Sequence, residues 1–187
     1  MPYTVSDYLS GDIRTGKIAT DLPEFDEAEK RVKDSIDKFL NNNGTKTVDH
    51  FHKRLGLIMW NKVGMGRNEK GLEEAIAEIA ALKEEFFKEV YVPGNAYEMN
   101  TELEKALRVA DFIDLGQLMA IDALQRKESC GGHFREEYQT PENEARRDDE
   151  GYAYVAAWEY KGDNQPEELH KEDLVFESVK LTQRSYK

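Results

Sequence analysis

The sequence holds a single cysteine, Cys130, among 187 residues. An internal disulfide is therefore excluded, and such usage fits a reducing compartment. Positive charge is also scarce: 26 Lys and Arg face 38 Asp and Glu, for a formal net charge of −12. Nucleic acid and anionic lipid both demand a basic surface, so neither is expected as a partner. No apolar run approaches the length needed to span a bilayer, and Met1-Pro2-Tyr3-Thr4 starts no signal peptide. Phosphate-binding glycine fingerprints are missing too. The stretch 64–71 (Gly-Met-Gly-Arg-Asn-Glu-Lys-Gly) opens a helix with glycines. It has neither the third-glycine spacing nor the Gly-Lys-Ser/Thr ending, and no strand precedes it, so a helix–helix turn is expected there. The composition leaves a soluble, acidic, cytoplasmic protein, long enough for one domain plus a tail.

What is present is mostly helical periodicity. Tyr3, Val5, Tyr8 and Leu9 suggest a short helix ended by Gly11, followed by a turn at Thr15-Gly16-Lys17. This segment reads as the tail of a preceding domain. A first clear helix starts at Pro23, with Phe25, Ala28, Val32, Ile36 and Phe39 on one face and acid in its first turns. A second runs from about 47 to 63 on Val48, Phe51, Leu55, Ile58 and Met59, and is stopped by Gly64-Met65-Gly66. Asn68 caps a third, with Leu72, Ile76, Ile79, Leu82, Phe86 and Val90 at helical spacing. The fourth is expected from about 100 to 128, about 42 Å long. It is apolar on two sides, so it must lie between neighbours or meet a second protein surface. Its Asp111, Asp114 and Asp122 need water or a partner. Short loops imply an antiparallel up-down-up bundle. After Cys130 the chain turns polar. The segment 152–160 is expected to pair with 174–181 as a two-stranded ribbon, looping through 162–166, and the ribbon must lean on the bundle or on another domain.

Candidate chemistry is thin. Cys130 and His133 have a Cys-x-x-His spacing, but a structural zinc needs four ligands and no second cysteine exists. Three residues apart, they also make an awkward nucleophile–base pair. His50-Phe51-His52-Lys53-Arg54 reads as a solvated basic face around a core Phe51. Glu73, Glu74, Glu78, Glu84 and Glu85 interleave with lysines and read as an ion-paired surface. Arg135 and Arg147 are the strongest polar anchors, because a guanidinium in irregular chain can satisfy several carbonyls and carboxylates. Asp148 and Asp149 read as an ion-pair partner or a cap.

The stretch Glu128-Ser129-Cys130-Gly131-Gly132-His133-Phe134-Arg135, followed by Tyr138 and by Arg147-Asp148-Asp149, resembles the C-terminal region of succinate dehydrogenase and fumarate reductase flavoprotein subunits. The family pattern there is Glu-Ser-Arg-Gly-Ala-His-x-Arg and then Arg-Asp-Asp. Cys130 stands in place of the usual arginine. The join from Met59 to Leu72, with its Gly-x-x-Arg ending in Arg67, is similar to the family's helix-turn-helix. The tail and acidic balance look most like the enzymes that pair with a diheme cytochrome b.

The resemblance implies a mainly α fold. A spectrin-like antiparallel three-helix bundle over 46–129 would follow an N-terminal segment and extra helix over 1–45. An extended tail with a two-stranded ribbon would fill 130–187. It also implies that FAD belongs to the full-length subunit, and that this chain resembles an excised C-terminal segment without catalytic, cofactor-binding or metal residues. The implied partners are the flavin-binding and capping domains, an iron-sulfur subunit and, indirectly, a cytochrome b anchor. The implied location is the inner face of the cell membrane, peripherally. His133, Arg135, Arg147, Asp148, Asp149 and Arg67 are implied as structural or interface residues. Gly131 and Gly132 are expected to stop the fourth helix, with His133 and Arg135 satisfying its free carbonyls and Arg135 holding Asp148, Asp149 or the flavin domain. L-Aspartate oxidase shares the bundle and is the nearest enzyme alternative. A free-standing helical adaptor that binds a partner helix is the alternative from another class.

Overall fold

A computed structural model of the chain describes residues 2–11, 18–162, 165–180 and 182. The turn expected at 15–17, residues 163 and 164 of the ribbon loop, and Leu181 lie outside the described residues. Among the described residues, five helices carry most of the fold: α1 (Pro2–Gly11), α2 (Pro23–Leu40), α3 (Val48–Lys62), α4 (Glu69–Glu89) and α5 (Thr101–Gln125). Short strands punctuate them: β1 (Lys46–Thr47), β2 (Gly66–Arg67), β3 (Val90–Tyr91), β4 (Phe134–Arg135), β5 (Tyr154–Glu159) and β6 (Glu168–Asp173). The fold is mainly α, with α3, α4 and α5 as the antiparallel three-helix bundle.

Each bundle helix begins where a side chain can accept an orphan N–H. Thr47 Oγ1 accepts from His50, Asn68 Oδ1 from Gly71 and Asn100 Oδ1 from Leu103. Ion pairs fix the orientation of neighbours. Lys62, at the end of α3, reaches Glu74 and Glu78 near the start of α4, while Arg54 reaches Glu85 further along it. Lys46 also donates to Glu85. These two cations hold the Glu85 carboxyl down at about 2.

The main core is Phe51, Leu55, Ile79, Leu82, Phe86, Leu103, Val109 and Ile113, joined by Phe39 from α2. Only the end of α2 docks: Phe39 packs on Phe86 and Phe87, whereas Phe25 and Val32, expected on the same buried face, are exposed. Asn42 then ties this end to α4 by donating to the carbonyls of Phe87 and Val90. A second apolar cluster, Val63, Leu72, Ala75, Ala120 and Ala123, closes the other end of the bundle. The residues singled out in the sequence around Arg135 lie there.

Two expectations need correction. Helix α5 ends at Gln125, not at 128, so its 25 residues span about 37 Å. Arg126 is already extended, because the carbonyls of Ala123, Leu124 and Arg126 bond to side chains instead of to a further helical turn. The ribbon partner of β5 is Glu168–Asp173, not 174–181, in register Glu159↔Glu168 through Tyr154↔Asp173. Polar cross-strand pairs favour that choice: Lys161 reaches Glu159 and Glu168, His170 reaches Glu159, and Lys171 lies over the Tyr154 ring. The apolar Val175, Phe176 and Val179 remain exposed beyond the hairpin. The ribbon leans on α5 as expected, with Tyr154 buried and Trp158 Nε1 donating to Asp122 at 2.9 Å. That contact supplies the partner Asp122 needed, and Lys83 supplies one for Asp114 at 2.6 Å.

Candidate functional site

Beyond α5 the chain folds back on the helix it has just left. Cys130 and His133 exchange two backbone hydrogen bonds across Gly131, whose φ is +59°. Glycine reaches that left-handed region without a Cβ clash. The glycines therefore make this reversal, beginning six residues past the helix, and not the helix stop that the sequence suggested. The reversal lays β4 parallel to β2, pairing Gly66 with Phe134 and Arg67 with Arg135. This two-residue strand pair brings the α3–α4 join to the end of α5.

Arg135 sits at the centre and is 1% exposed. Its Nη1 donates to the carbonyls of Ala123 (2.9 Å) and Leu124 (3.1 Å), two of the orphan acceptors at the end of α5. Its Nε donates to Glu137 at 3.2 Å, and its guanidinium lies over the Tyr138 ring. The sequence pointed to Asp148, Asp149 or the flavin domain as its partner; within this chain the structure gives it Glu137. The Arg135 backbone is clamped by Ser129, whose Oγ accepts from Arg135 N–H and donates to Arg135 C=O. Ser129 is wholly buried, and no buried side-chain nitrogen or oxygen among the described residues lacks a partner.

His133 and Arg67 complete the junction. His133 Nε2 lies 2.9 Å from the Arg126 carbonyl, and Nδ1 lies 3.4 Å from Arg67 Nη1. A carbonyl accepts and a guanidinium donates, so the ring is the neutral tautomer with its proton on Nε2. Burial lowers the His133 pKa below its ordinary value. The Arg126 carbonyl opposes this, and the neighbouring cations Arg67, Arg135 and Arg126 add to it. Arg67 is lowered for similar reasons, burial first and the Arg135 charge second. Its Nε donates to Gly64 C=O at 3.0 Å. Glu137 supplies the counter-charge. Burial pushes its carboxyl up, but the Glu69 N–H, its own N–H and Arg135 together bring it below the usual carboxylate value.

The Arg-Asp-Asp stretch lies to one side. Arg147 donates to Asp149 Oδ1 from Nε (2.9 Å) and Nη2 (2.5 Å), and to the Thr182 carbonyl from Nη1. Asp148 Oδ1 accepts from Gly151 N–H, while its own N–H donates to Glu128 Oε2. Glu128, 3% exposed, is also paired with Arg126. Of the six residues singled out in sequence, the structure brings Arg67, His133 and Arg135 into one network. Arg147 and Asp149 form a separate pair, and Asp148 joins the Glu128 group.

Sequence reasoning gave no role to Glu137, Glu128, Ser129 or Arg126. Glu128 and Ser129 lie inside the quoted motif, so a signal existed. Glu137 had only its position two residues after Arg135.

This geometry can hold a chain in place; it offers little to a cofactor or a metal. A flavin pyrophosphate would need free N–H groups at a helix start. The nearest arrangement is β2 running into α4, but there Glu137 Oε1 already accepts from Glu69 N–H at 2.5 Å and Asn68 from Gly71 N–H. A carboxylate thus occupies the phosphate position, and the residues do not fit the group. Cys130 is exposed, while His133 Nε2 is bonded to a carbonyl. Elsewhere, Glu159, Glu168 and His170 stand close enough to share an ion, but all are exposed and Lys161 bridges both carboxylates.

A family model described as the fumarate reductase flavoprotein C-terminal region matches residues 52–186. The chain belongs to this family. The fumarate reductase flavoprotein subunit of Helicobacter pylori is 30% identical over 156 residues, which is 82% of this chain and 21% of that protein. L-Aspartate oxidase of Yersinia pestis is 30% identical over 125 residues, 66% of this chain and 20% of that protein. The chain thus spans about a fifth of the curated relatives it matches. Among solved structures, a quinol fumarate reductase chain of E. coli superposes with TM-score 0.72 at 22% identity, covering 90% of this chain and 27% of its own length. The Mycobacterium smegmatis Sdh1 complex gives 0.73 at 21%, covering 92% and 27%. At those identities the two structures speak for the fold.

Proposed function

We propose that this chain serves as the C-terminal helical domain of a fumarate reductase or succinate dehydrogenase flavoprotein subunit, in which it supports the flavin domain and the contacts between subunits. In this reading residues 1–45 lead in from a preceding flavin-binding domain, 46–129 form the buttress and 130–187 wrap it. FAD and the dicarboxylate site belong to other domains of the full-length subunit. Electrons leave through an iron-sulfur subunit towards a cytochrome b anchor, with the complex peripheral on the inner face of the membrane. His133, Arg135, Arg67, Arg147, Asp148 and Asp149 hold the tail and its interfaces and do no chemistry.

The observation that carries this is Arg135. A reacting arginine needs a free fork aimed at solvent or substrate. This one is buried, with its donors directed to the end of α5 and to Glu137. Membership of the oxidoreductase family supplies the enzyme. The L-aspartate oxidase relative keeps a second reading open, namely the same domain in a flavoenzyme that oxidises aspartate.

An antibody against this chain, used to deplete extracts of the native cell, separates these readings. Loss of succinate–fumarate interconversion together with a flavin-containing polypeptide supports the proposal. Loss of aspartate oxidation alone supports the second reading. Recovery of a flavin-free protein with neither activity lost refutes both.

A further inference from the structure

One face of the tail is built differently from the rest of this acidic surface. Lys127, Tyr138, Arg146, Arg147, Asp148 and Tyr152 line a shallow concavity of about 560 Å³. Among the described residues, neither Lys127 nor Arg146 has a carboxylate within salt-bridge distance, in a chain whose formal charge is −12. Arg146 is held ready. Its guanidinium lies over the Tyr138 ring at 5.5 Å, and the buried Arg135 lies over the same ring at 5.4 Å. The Arg146 backbone is pinned on both sides, its N–H donating to Tyr138 C=O and its C=O accepting from Ser129 N–H. The opposite wall, Tyr152, has Arg126 over its ring and donates its hydroxyl to Gln125 C=O. A planar guanidinium stacked on an aromatic ring loses little freedom when its fork closes on a planar carboxylate.

We propose that this concavity is a docking site for an acidic polypeptide segment, whose Asp or Glu side chains pair with Arg146 and Lys127. Charge complementarity argues for an acidic ligand, and two features favour a carboxylate over a free phosphate. No helix N-terminus contributes N–H groups to it, as phosphate sites commonly arrange. The Asp148 carboxylate in the lining repels a doubly charged anion more strongly than a singly charged one. This inference does not depend on which flavoenzyme the chain serves.

The test uses the full chain and three probes: the blocked peptide Gly-Ser-Glu-Glu-Ser-Gly, its Gln-Gln counterpart, and inorganic phosphate. Each is titrated to about 10 mM at low salt while the amide and Arg side-chain NMR signals are followed. The Glu peptide should shift Lys127, Tyr138, Arg146 and Tyr152. The Gln peptide should bind about tenfold more weakly, and a Lys127→Ala/Arg146→Ala double variant should lose a similar factor for the Glu peptide at unchanged urea midpoint. Equal binding of both peptides, tighter binding of phosphate than of the Glu peptide, or no localised shift with the Glu peptide would each overturn the proposal.

Discussion

Replacing Arg135 by alanine removes a fully buried side chain and its polar contacts between the tail and the end of α5. The variant leaves the Ala123 and Leu124 carbonyls without their charged donor, and Glu137 without its cation. Hydrogen bonds to charged groups contribute about 1.5–3 kcal/mol each, and a carbonyl pair sharing one Nη1 counts as little more than one bond. Glu137 retains the Glu69 N–H and is partly exposed, so it is not stranded. Working the other way, Arg67 is relieved of a neighbouring like charge. The losses win: the charged bonds to the two carbonyls are worth about 1.5–3 kcal/mol and the space emptied by the buried arginine stem adds about 2, while the Arg67 relief returns on the order of 1. A net loss of about 3 kcal/mol is a large fraction of a domain's stability, on the order of 5–15 kcal/mol. In urea, with a slope of about 2–3 kcal/mol per molar, the midpoint should fall by about 1 M or more. Arg135→Lys keeps the charge but cannot span carbonyls and carboxylate with one ammonium, so it should recover less than half of the loss. A midpoint change below about 0.2 M for Arg135→Ala, with native helicity, would refute the reasoning.

Gly44→Ala should destabilise by about 3 kcal/mol or prevent folding, because a Cβ there would meet the Glu89 carbonyl carbon and oxygen at 2.2 Å. Gly56→Ala on the open face of α3 should instead raise the urea midpoint, gaining about 0.5–1 kcal/mol of helix propensity. His133 has a folded-state pKa below its unfolded value. Its contribution is therefore present above about pH 6.5 and is lost as pH falls and the unfolded state takes up the proton. The urea midpoint should drop between about pH 8 and 5.5, and His133→Gln should flatten that drop. Glu85, depressed to about 2 by Lys46 and Arg54, contributes stability above the unfolded carboxylate pKa that is lost as pH falls through about 2. Glu85→Gln should reduce the acid sensitivity measured between about pH 5 and 2.

The helices were legible because burial repeats every third or fourth residue along them, and because Asn68 and the Gly64–Gly66 break are local signals. Where α5 ends was not legible. Leu124 and Gln125 look no different from helix interior, and the reason to stop is Arg135 ten residues on, a contact between segments. The ribbon failed for a related reason. Val175, Phe176 and Val179 carry the β-branched and aromatic signal, but the hairpin forms through Lys161, Glu168 and His170, whose cross-strand pairing no periodicity shows. At the site, the motif marked Arg67, His133 and Arg135 as separate residues. Their meeting depends on a two-residue parallel strand pair too short to leave a pattern. Glu137, which pairs with Arg135 and accepts from the first N–H of α4 there, carries no sequence mark.

The central claim is that this domain supports a flavoenzyme without joining its chemistry. The most direct test is turnover per bound flavin in the assembled enzyme that carries Arg135→Ala in this domain. The account predicts that less complex assembles, that it melts at a lower temperature, and that each flavin in it turns over within about threefold of the unaltered enzyme, a difference under 1 kcal/mol in barrier. A loss of about a thousandfold per flavin, equivalent to about 4 kcal/mol, with assembly and melting temperature unchanged, would contradict it and place Arg135 in the reaction.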